Sequence, residues 1–419
     1  MCKFLMRNVS VGSAQAMRSS GTLRKTRGNL LAGVAAALAW VILTSCGDVY
    51  RPVANPVLKP GGDPTATRVA LVLSNNAGAP GVGTAVDVSG DTNVGNFPIG
   101  RGPVHAAFVT GTTQALAANK NDDTVSILLP LNQASPVSTV TLPAGSAPVY
   151  LASTEPGFMY VANSGTNAVG VIAIVLSTQQ TSIPVGRTPV ALVETPDSTV
   201  LYCVNQGDGT VTVIAPSQFA AIATIPVGAS PVAAAINSDG KTLYVANQGS
   251  GTVSVINVAS NSVTATVPVG PSPKLMIFDP HLRRLYVANT GSNTITVFNA
   301  DTSLTLLANV TVGAGPTSIA PLLDGTRVYV ANAGCADAVN LTGCSGNTVS
   351  VVDAVSLAVR KTIAVGSTPI SLAADSGSTK VVVANRDSNT ISNIHTSDDT
   401  VVASFASGAS QPVWVTISQ

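Results

Sequence analysis

Histidine is the side chain that most often carries acid–base and metal chemistry near neutral pH, and the chain has three: His105, His281 and His395. They stand far apart, without the i, i+4 spacing that puts two imidazoles on one side of a metal. The glutamates are Glu155 and Glu194, so paired carboxylates for acid–base work would have to come from aspartates. Most aspartates lie in turn-like stretches among Gly, Asn and Ser, where a short carboxylate bonds nearby backbone. The chain contains neither a Cys-x-x-Cys-His haem attachment nor a Gly-x-Ser-x-Gly elbow. These residues predict no catalytic constellation, no metal site and no cofactor. The expectation is a protein that is not an enzyme.

Cysteine says more. Cys335 and Cys344 bracket an insertion, AGCADAVNLTGCSGNT, and two cysteines closing one loop of an exported chain predict a disulfide. In the chain-entropy picture so small a ring stabilises by about 2–3 kcal/mol. Cys203 interrupts an apolar strand pattern, LYCVN, and reads as a buried, inert thiol. Cys46 ends Leu43-Thr44-Ser45-Cys46, directly after the 14-residue apolar run Leu30–Leu43. Residues 1–29 are basic, and no acid precedes Asp48. Basic, then apolar, then small is the order of a secretory signal, and the run is short for a membrane span. Leu43–Cys46 resembles the bacterial lipobox, which implies that Cys46 is lipidated and holds the chain to a membrane by its acyl CH₂ groups, about 0.8 kcal/mol each. Gly47, rather than Asp, follows the cysteine, and similarity to Gram-negative sorting implies the outer membrane or cell surface. Residues 46–67 are rich in Pro and Gly and read as a tether. The expected organisation is a signal at 1–45, a tether at 46–67 and a folded body at 68–419.

Without residues 1–45 the chain has 15 basic and 20 acidic side chains, so it lacks the basic stripe that phosphate backbones require. Nucleic acid is not an expected partner. Charged residues are 10% of the chain, and mean hydropathy is +0.38. No apolar run of membrane-spanning length follows residue 46, so the apolar excess predicts strands buried on both faces.

A repeat supplies those strands. Asn75, Asn119, Asn163, Asn205, Asn247, Asn289, Asn332 and Asn385 recur at intervals of 44, 44, 42, 42, 42, 43 and 53 residues. Each copy parses into four short strands, A to D. Strand A follows a Gly-x-x-Pro corner, a polar turn leads to strand B, and strand B ends on the repeated Asn. A period near 43 with four strands per copy predicts an all-β fold, a single β-propeller. The first copy starts at strand B and a stray strand A, Pro412–Ile417, ends the chain, so that strand should pair with the N-terminal blade and close the ring. The count is eight blades, with seven and a loose sheet as the alternative. The repeated Asn, which at a strand end can bond its own backbone and tolerates left-handed geometry, is expected to organise the B–C loop rather than bind a ligand. Tyr160, Tyr202, Tyr244, Tyr286 and Tyr329 are expected to pack between blades. The histidines fall in strand A of blade 2, the A–B turn of blade 5 and strand C of blade 8.

The copy LYVANQGSGTVSVINVASNSVTATVPVG resembles the YVTN family of β-propeller repeat proteins, over about residues 68–419. The resemblance implies a propeller of the bacterial or archaeal envelope and leaves activity open. B–C loops and D–A corners share one face of a propeller, and blades 1 and 7 have the longest B–C loops. That face is the expected recognition surface, because loops vary while the scaffold repeats. Its polar candidates are Arg101 and Arg187 in corners, with Lys120, Asp122, Asp123, Asp208, Arg386 and Asp387 in B–C loops. The expected function is a lipid-anchored binding scaffold for a protein, glycan or wall component. The alternatives are an enzyme of lactonase or quinoprotein type and a structural surface-layer element.

Overall fold

A computed structural model describes residues 68–418, apart from 110–111, 131–137, 154–156, 302 and 338–341. The expectations for the signal, Cys46 and the tether lie outside the described residues, as does Glu155. The described chain forms eight four-stranded antiparallel sheets, plus a two-stranded hairpin in the insertion. Blade 5 shows the plan: strand A is Pro231–Ile236, B Thr242–Asn247, C Thr252–Asn257 and D Ser262–Pro268. Each strand A touches the strand A of the next blade, and the series returns to its start through Pro412–Ile417, which lies between those of blades 8 and 2. The ring therefore has eight blades, not seven.

Burial explains the composition. Strand B of blade 5 is buried at every position after its first residue, while strand D is almost wholly exposed. Inner strands are covered on both faces by neighbouring blades, so alternation fades and Val, Ala and Ile fill them. The five repeated tyrosines lie in these seams as expected. Tyr244, for example, packs with Met276, Leu285 and Val287 of blade 6.

The repeated Asn is structural and organises the B–C connection as expected, but through bonds to strand C and not to its own backbone. The left-handed residue stands four positions later, at Asp123, Asn167, Gly209, Gly251, Asn293 and Asn389. The Asn itself is buried, and its side chain ties strand B to strand C. Asn247 Nδ2 donates to Thr252 Oγ1 at 3.1 Å and to Ser254 Oγ at 3.0 Å. Asn119, Asn205, Asn289, Asn332 and Asn385 make the same pair of bonds. The corner glycine fits against this amide: a Cβ on Gly228 would lie 2.6 Å from Asn247 Cγ. Asn163 departs from the pattern, because Ala168 and Gly170 stand where the two hydroxyls would be.

Ring closure has two parts. Strand Pro412–Ile417 pairs antiparallel with strand Val69–Ser74, with Leu71 opposite Thr416 and Leu73 opposite Trp414. Blade 8 is then clasped to blade 1 by charge. Lys380 Nζ bonds the Asp91 carboxylate, which also accepts Asn393 Nδ2 at 3.1 Å, and Arg68 meets Asp375 at 2.5 Å. Lys380 is 5% exposed. A buried ammonium persists only when paired, so this clasp fixes which blades meet.

Candidate functional site

The residues that the sequence singles out lie in the corners and B–C loops as expected, but they do not converge. Three arginines pair locally with three aspartates. Arg101 N donates to Asp122 at 2.6 Å, and Arg187 reaches Asp208 through N at 2.7 Å and Nε at 2.5 Å. Arg386 Nε donates to Asp387 at 2.8 Å, and Asp387 also accepts the Thr368 hydroxyl at 2.6 Å. The pairs sit on blades 2, 4 and 8, each joining a B–C loop to a corner or to itself. Hydrogen bonds from the Arg187 backbone and then its guanidinium hold the Asp208 carboxyl below its usual range. Asp123 accepts Gly145 N and Ala147 N, both at 2.7 Å, and so pins the next corner. Asn167, Asn293 and Asn389 cap corner N–H groups from the equivalent position. Lys120 is exposed. These carboxylates are first of all corner braces, a role legible only when corner and loop are seen side by side.

Cys335 and Cys344 are bonded as expected, opposite one another in the hairpin Cys335–Asp337 and Thr342–Cys344. Cys203 is fully buried and in no disulfide, its thiol donates to Asn205 Oδ1 at 3.6 Å, and burial pushes its pKa up. His281 lies in the A–B turn of blade 6, not blade 5, between strands Pro273–Asp279 and Arg284–Asn289. His395 ends strand C of blade 8. Among the described residues no three His, Cys, Asp or Glu side chains are grouped as a metal would need.

The site that sequence reading missed lies on the axis. Eight A strands surround a channel, and at its corner end is a cavity of about 380 Å³ lined from every blade. The second residue of strand A is valine in five blades (104, 149, 190, 232 and 413), Ile370 in blade 8 and Thr317 in blade 7. In blade 6 it is Lys274, the one charged side chain lining this cavity among the described residues. Tyr150 and Trp414 line it as well. A further cavity of about 420 Å³ continues along the axis past Met276, Ile319 and Leu372.

Tyr150 and Trp414 belong to an aromatic wall. The His105 ring lies 3.9 Å from Tyr150 and 4.3 Å from Trp414, centroid to centroid. Its Nδ1 accepts Leu151 N at 3.3 Å, which assigns its proton to Nε2. Trp414 Nε1 donates to Ala106 O at 3.0 Å. Burial drives the His105 pKa down to about 3, so the ring is neutral at physiological pH, and burial raises Tyr150. The signal existed in the sequence as departures from a repeat: Lys274 replaces the usual valine at the second position of strand A, and His105, Tyr150 and Trp414 stand at the third, where the other blades carry Ala, Leu or Ser.

Fold and site together define an eight-bladed β-propeller with an axial cavity. A family model described as "Lactonase, 7-bladed beta-propeller" matches residues 216–321. No curated protein matches. Solved structures share the fold. Kuenenia stuttgartiensis hydrazine synthase is 19% identical, with a TM-score of 0.57 over 70% of this chain and 96% of its own. Dihydro-heme d1 dehydrogenase NirN is 11% identical, with a TM-score of 0.69 over 87% of this chain and 78% of its own. A candidate 6-phosphogluconolactonase from Bacteroides fragilis is 16% identical, with a TM-score of 0.59 over 85% of this chain and 100% of its own.

The lactonase match overturns the expectation that the chain is not an enzyme. That expectation rested on local spacing. A propeller site draws one residue from each of several blades, about one repeat apart, so its members leave no short motif. The matched segment contains Lys274, Leu275, Met276 and Thr317, all of which line the cavity.

Proposed function

We propose that the protein is an exported, lipid-anchored envelope propeller that takes a small organic ligand into the axial cavity at its corner face. The observation that carries this reading is the convergence there of Tyr150, Lys274 and Trp414, the side chains that break the repeat. A cavity of about 380 Å³ is within the range that small-molecule sites occupy. The loops around it, including the Cys335–Cys344 hairpin, would carry a protein, glycan or wall partner on the same face. Blocking the cavity tests the first part: Ala234→Trp, at a half-buried position of strand A that lines the channel, should abolish ligand uptake and leave the ring folded. Cys46→Ala tests the anchor and should move the protein from the membrane to the soluble fraction. Shortening Cys335–Cys344 to a loop like Gln248–Gly251 should remove partner capture alone.

A second reading is lactone hydrolysis in the same cavity, favoured by the family match over residues 216–321. It predicts proton release from a panel of lactones at constant pH, lost in Ala234→Trp. Binding without turnover on such a panel would leave the first reading and remove the second.

A further inference from the structure

The two ends of the ring differ in what they show to solvent. Strands A and C run away from the corners, so the A–B and C–D turns share the end opposite the corner face. Among the described residues, every exposed Val, Leu or Ile in a turn stands at that end: Leu129, Val175 and Leu176 in C–D turns of blades 2 and 3, and Leu323 and Val355 in turns of blade 7. The other exposed ones lie on strand D, around the rim, and the described corners and B–C loops have none. Val175 and Val355 are the most exposed, at 88% and 77%. Apolar residues scattered at random would fall on both ends; a one-sided set marks a surface that meets something apolar.

The Val175–Leu176 turn suits insertion into lipid. Residues 129–137 and 174–177, which make the C–D turns of blades 2 and 3, include no charged side chain. Ser177 N donates to Ile174 O at 3.2 Å, so the turn satisfies part of its own backbone and depends less on water. Phe158 and Phe219 carry the apolar edge on to blade 4. Both are half-buried, with ring centroids 5.4 Å apart, beside a cavity of about 410 Å³. Aromatic rings of this kind are favoured at the level of lipid headgroups.

The described chain also begins at this end. Arg68 directly precedes strand Val69–Ser74 and pairs with Asp375 in the A–B turn of blade 8. Cys46, the proposed lipid site, stands 22 residues earlier, and a chain of that length reaches at most about 75 Å. Such a tether keeps the body near a bilayer without orienting it, so orientation falls to the face itself. A second copy or a protein partner would need one contiguous apolar area. These tips are separate, on blades 2 and 3 and on blade 7, which is four places from blade 3 across the ring. A bilayer accepts separate tips, because its headgroup layer surrounds the polar turns between them.

We infer that the protein rests on its membrane by the end that carries the A–B and C–D turns, with Val175 and Leu176 inserted at the acyl boundary. The corner face and its cavity then open away from the bilayer. This rests on the lipid-anchored reading of the chain.

The chain has two tryptophans, Trp40 and Trp414, so Trp40→Phe in the full-length protein leaves Trp414 emission as a baseline. On that background Leu176→Trp adds an indole at the turn, and Lys120→Trp adds one on the corner face. Both positions are exposed, and circular dichroism checks that each variant keeps the fold of its parent. Each protein is reconstituted into phosphatidylcholine vesicles, plain or with brominated acyl chains, and the vesicle-bound fraction is collected by flotation. Bromine should remove about half or more of the emission that Leu176→Trp adds, because interfacial side chains sit roughly 5–10 Å deep. The emission that Lys120→Trp adds should not change. Protein that floats without loss at Leu176→Trp, or with equal loss at both positions, overturns the orientation and leaves the anchor standing. A concentration-dependent dimer in the unquenched case would assign the turns to a second copy instead. Protein that does not float overturns the anchored reading and the orientation with it.

Discussion

The clasp between blades 8 and 1 should account for a large share of ring stability, and Asp91→Ala measures it. Lys380 is 5% exposed and its ammonium bonds the Asp91 carboxylate, which also accepts Asn393 Nδ2. Removing Asp91 strands a buried cation, a change that typically costs about 3–5 kcal/mol. The comparison is Asp301→Ala, which breaks the exposed pair with Arg283 and should cost under about 1 kcal/mol. In a folded body of about 350 residues the larger loss corresponds to roughly 4–7 °C in Tm. Urea unfolding followed by circular dichroism reads both variants on one scale. The sign can be checked further by removing both charges. Lys380→Met with Asp91→Leu should be more stable than Asp91→Ala alone, because no unpaired ion remains. A loss under about 1 kcal/mol for Asp91→Ala, or a double variant no better than the single one, would refute the reasoning.

Acid should weaken the same seam. Burial raises the Asp375 pKa, but bonds from Lys380 N and Thr379, with the Arg68 charge, outweigh it and hold the carboxyl below its usual value. Its contribution is therefore full above the unfolded pKa of about 3.9 and is lost as pH falls through the lower folded value. Urea midpoints from pH 7 to pH 2 should fall less steeply in Asp375→Asn; equal slopes would remove the claim. Asn289→Ala breaks bonds to Thr294 and Thr296 and should cost about 1–3 kcal/mol, whereas Asn163→Ala, with no hydroxyl opposite, should cost less than half as much by the same assay. Gly228→Ala brings a Cβ within 2.8 Å of three Asn247 side-chain atoms and should lower the urea midpoint, with partial rescue in Asn247→Ala.

The fold was legible because a propeller repeats its physics. Eight copies of a corner, a turn and an Asn state the same packing problem, and the displaced strand Pro412–Ile417 shows how the ends meet. The clasp was not legible. Lys380 and Asp91 are 289 positions apart, and neither stands out within its own copy. The role of the Asn was half legible: burial follows from its place at a strand end, but the hydroxyls at +5 and +7 look like ordinary strand residues until strand C folds beside strand B. The corner face was legible as the place where loops and corners meet, and the engagement of its charges was not. Asp122, Asp208 and Asp387 look like available charges in a linear string, yet each is occupied by an arginine or a corner.

Near-identical blades make a body with almost no features of its own, so specificity has to enter where the copies differ. Strands B and C cannot differ much. They are covered on both sides, and any change there is felt by two seams at once. Strand D faces solvent and differs freely, but it lies farthest from the axis. Strand A alone is both constrained enough to hold a side chain in place and open on one side to the channel. An aromatic residue on blade 1 and another on blade 3 reach the same cavity as a lysine on blade 6, though they come from the end, the first half and the second half of the chain. Closure by the C-terminal strand therefore does more than remove a sheet edge. It brings Trp414 into the wall, so a ring that fails to close would lose the cavity along with its stability.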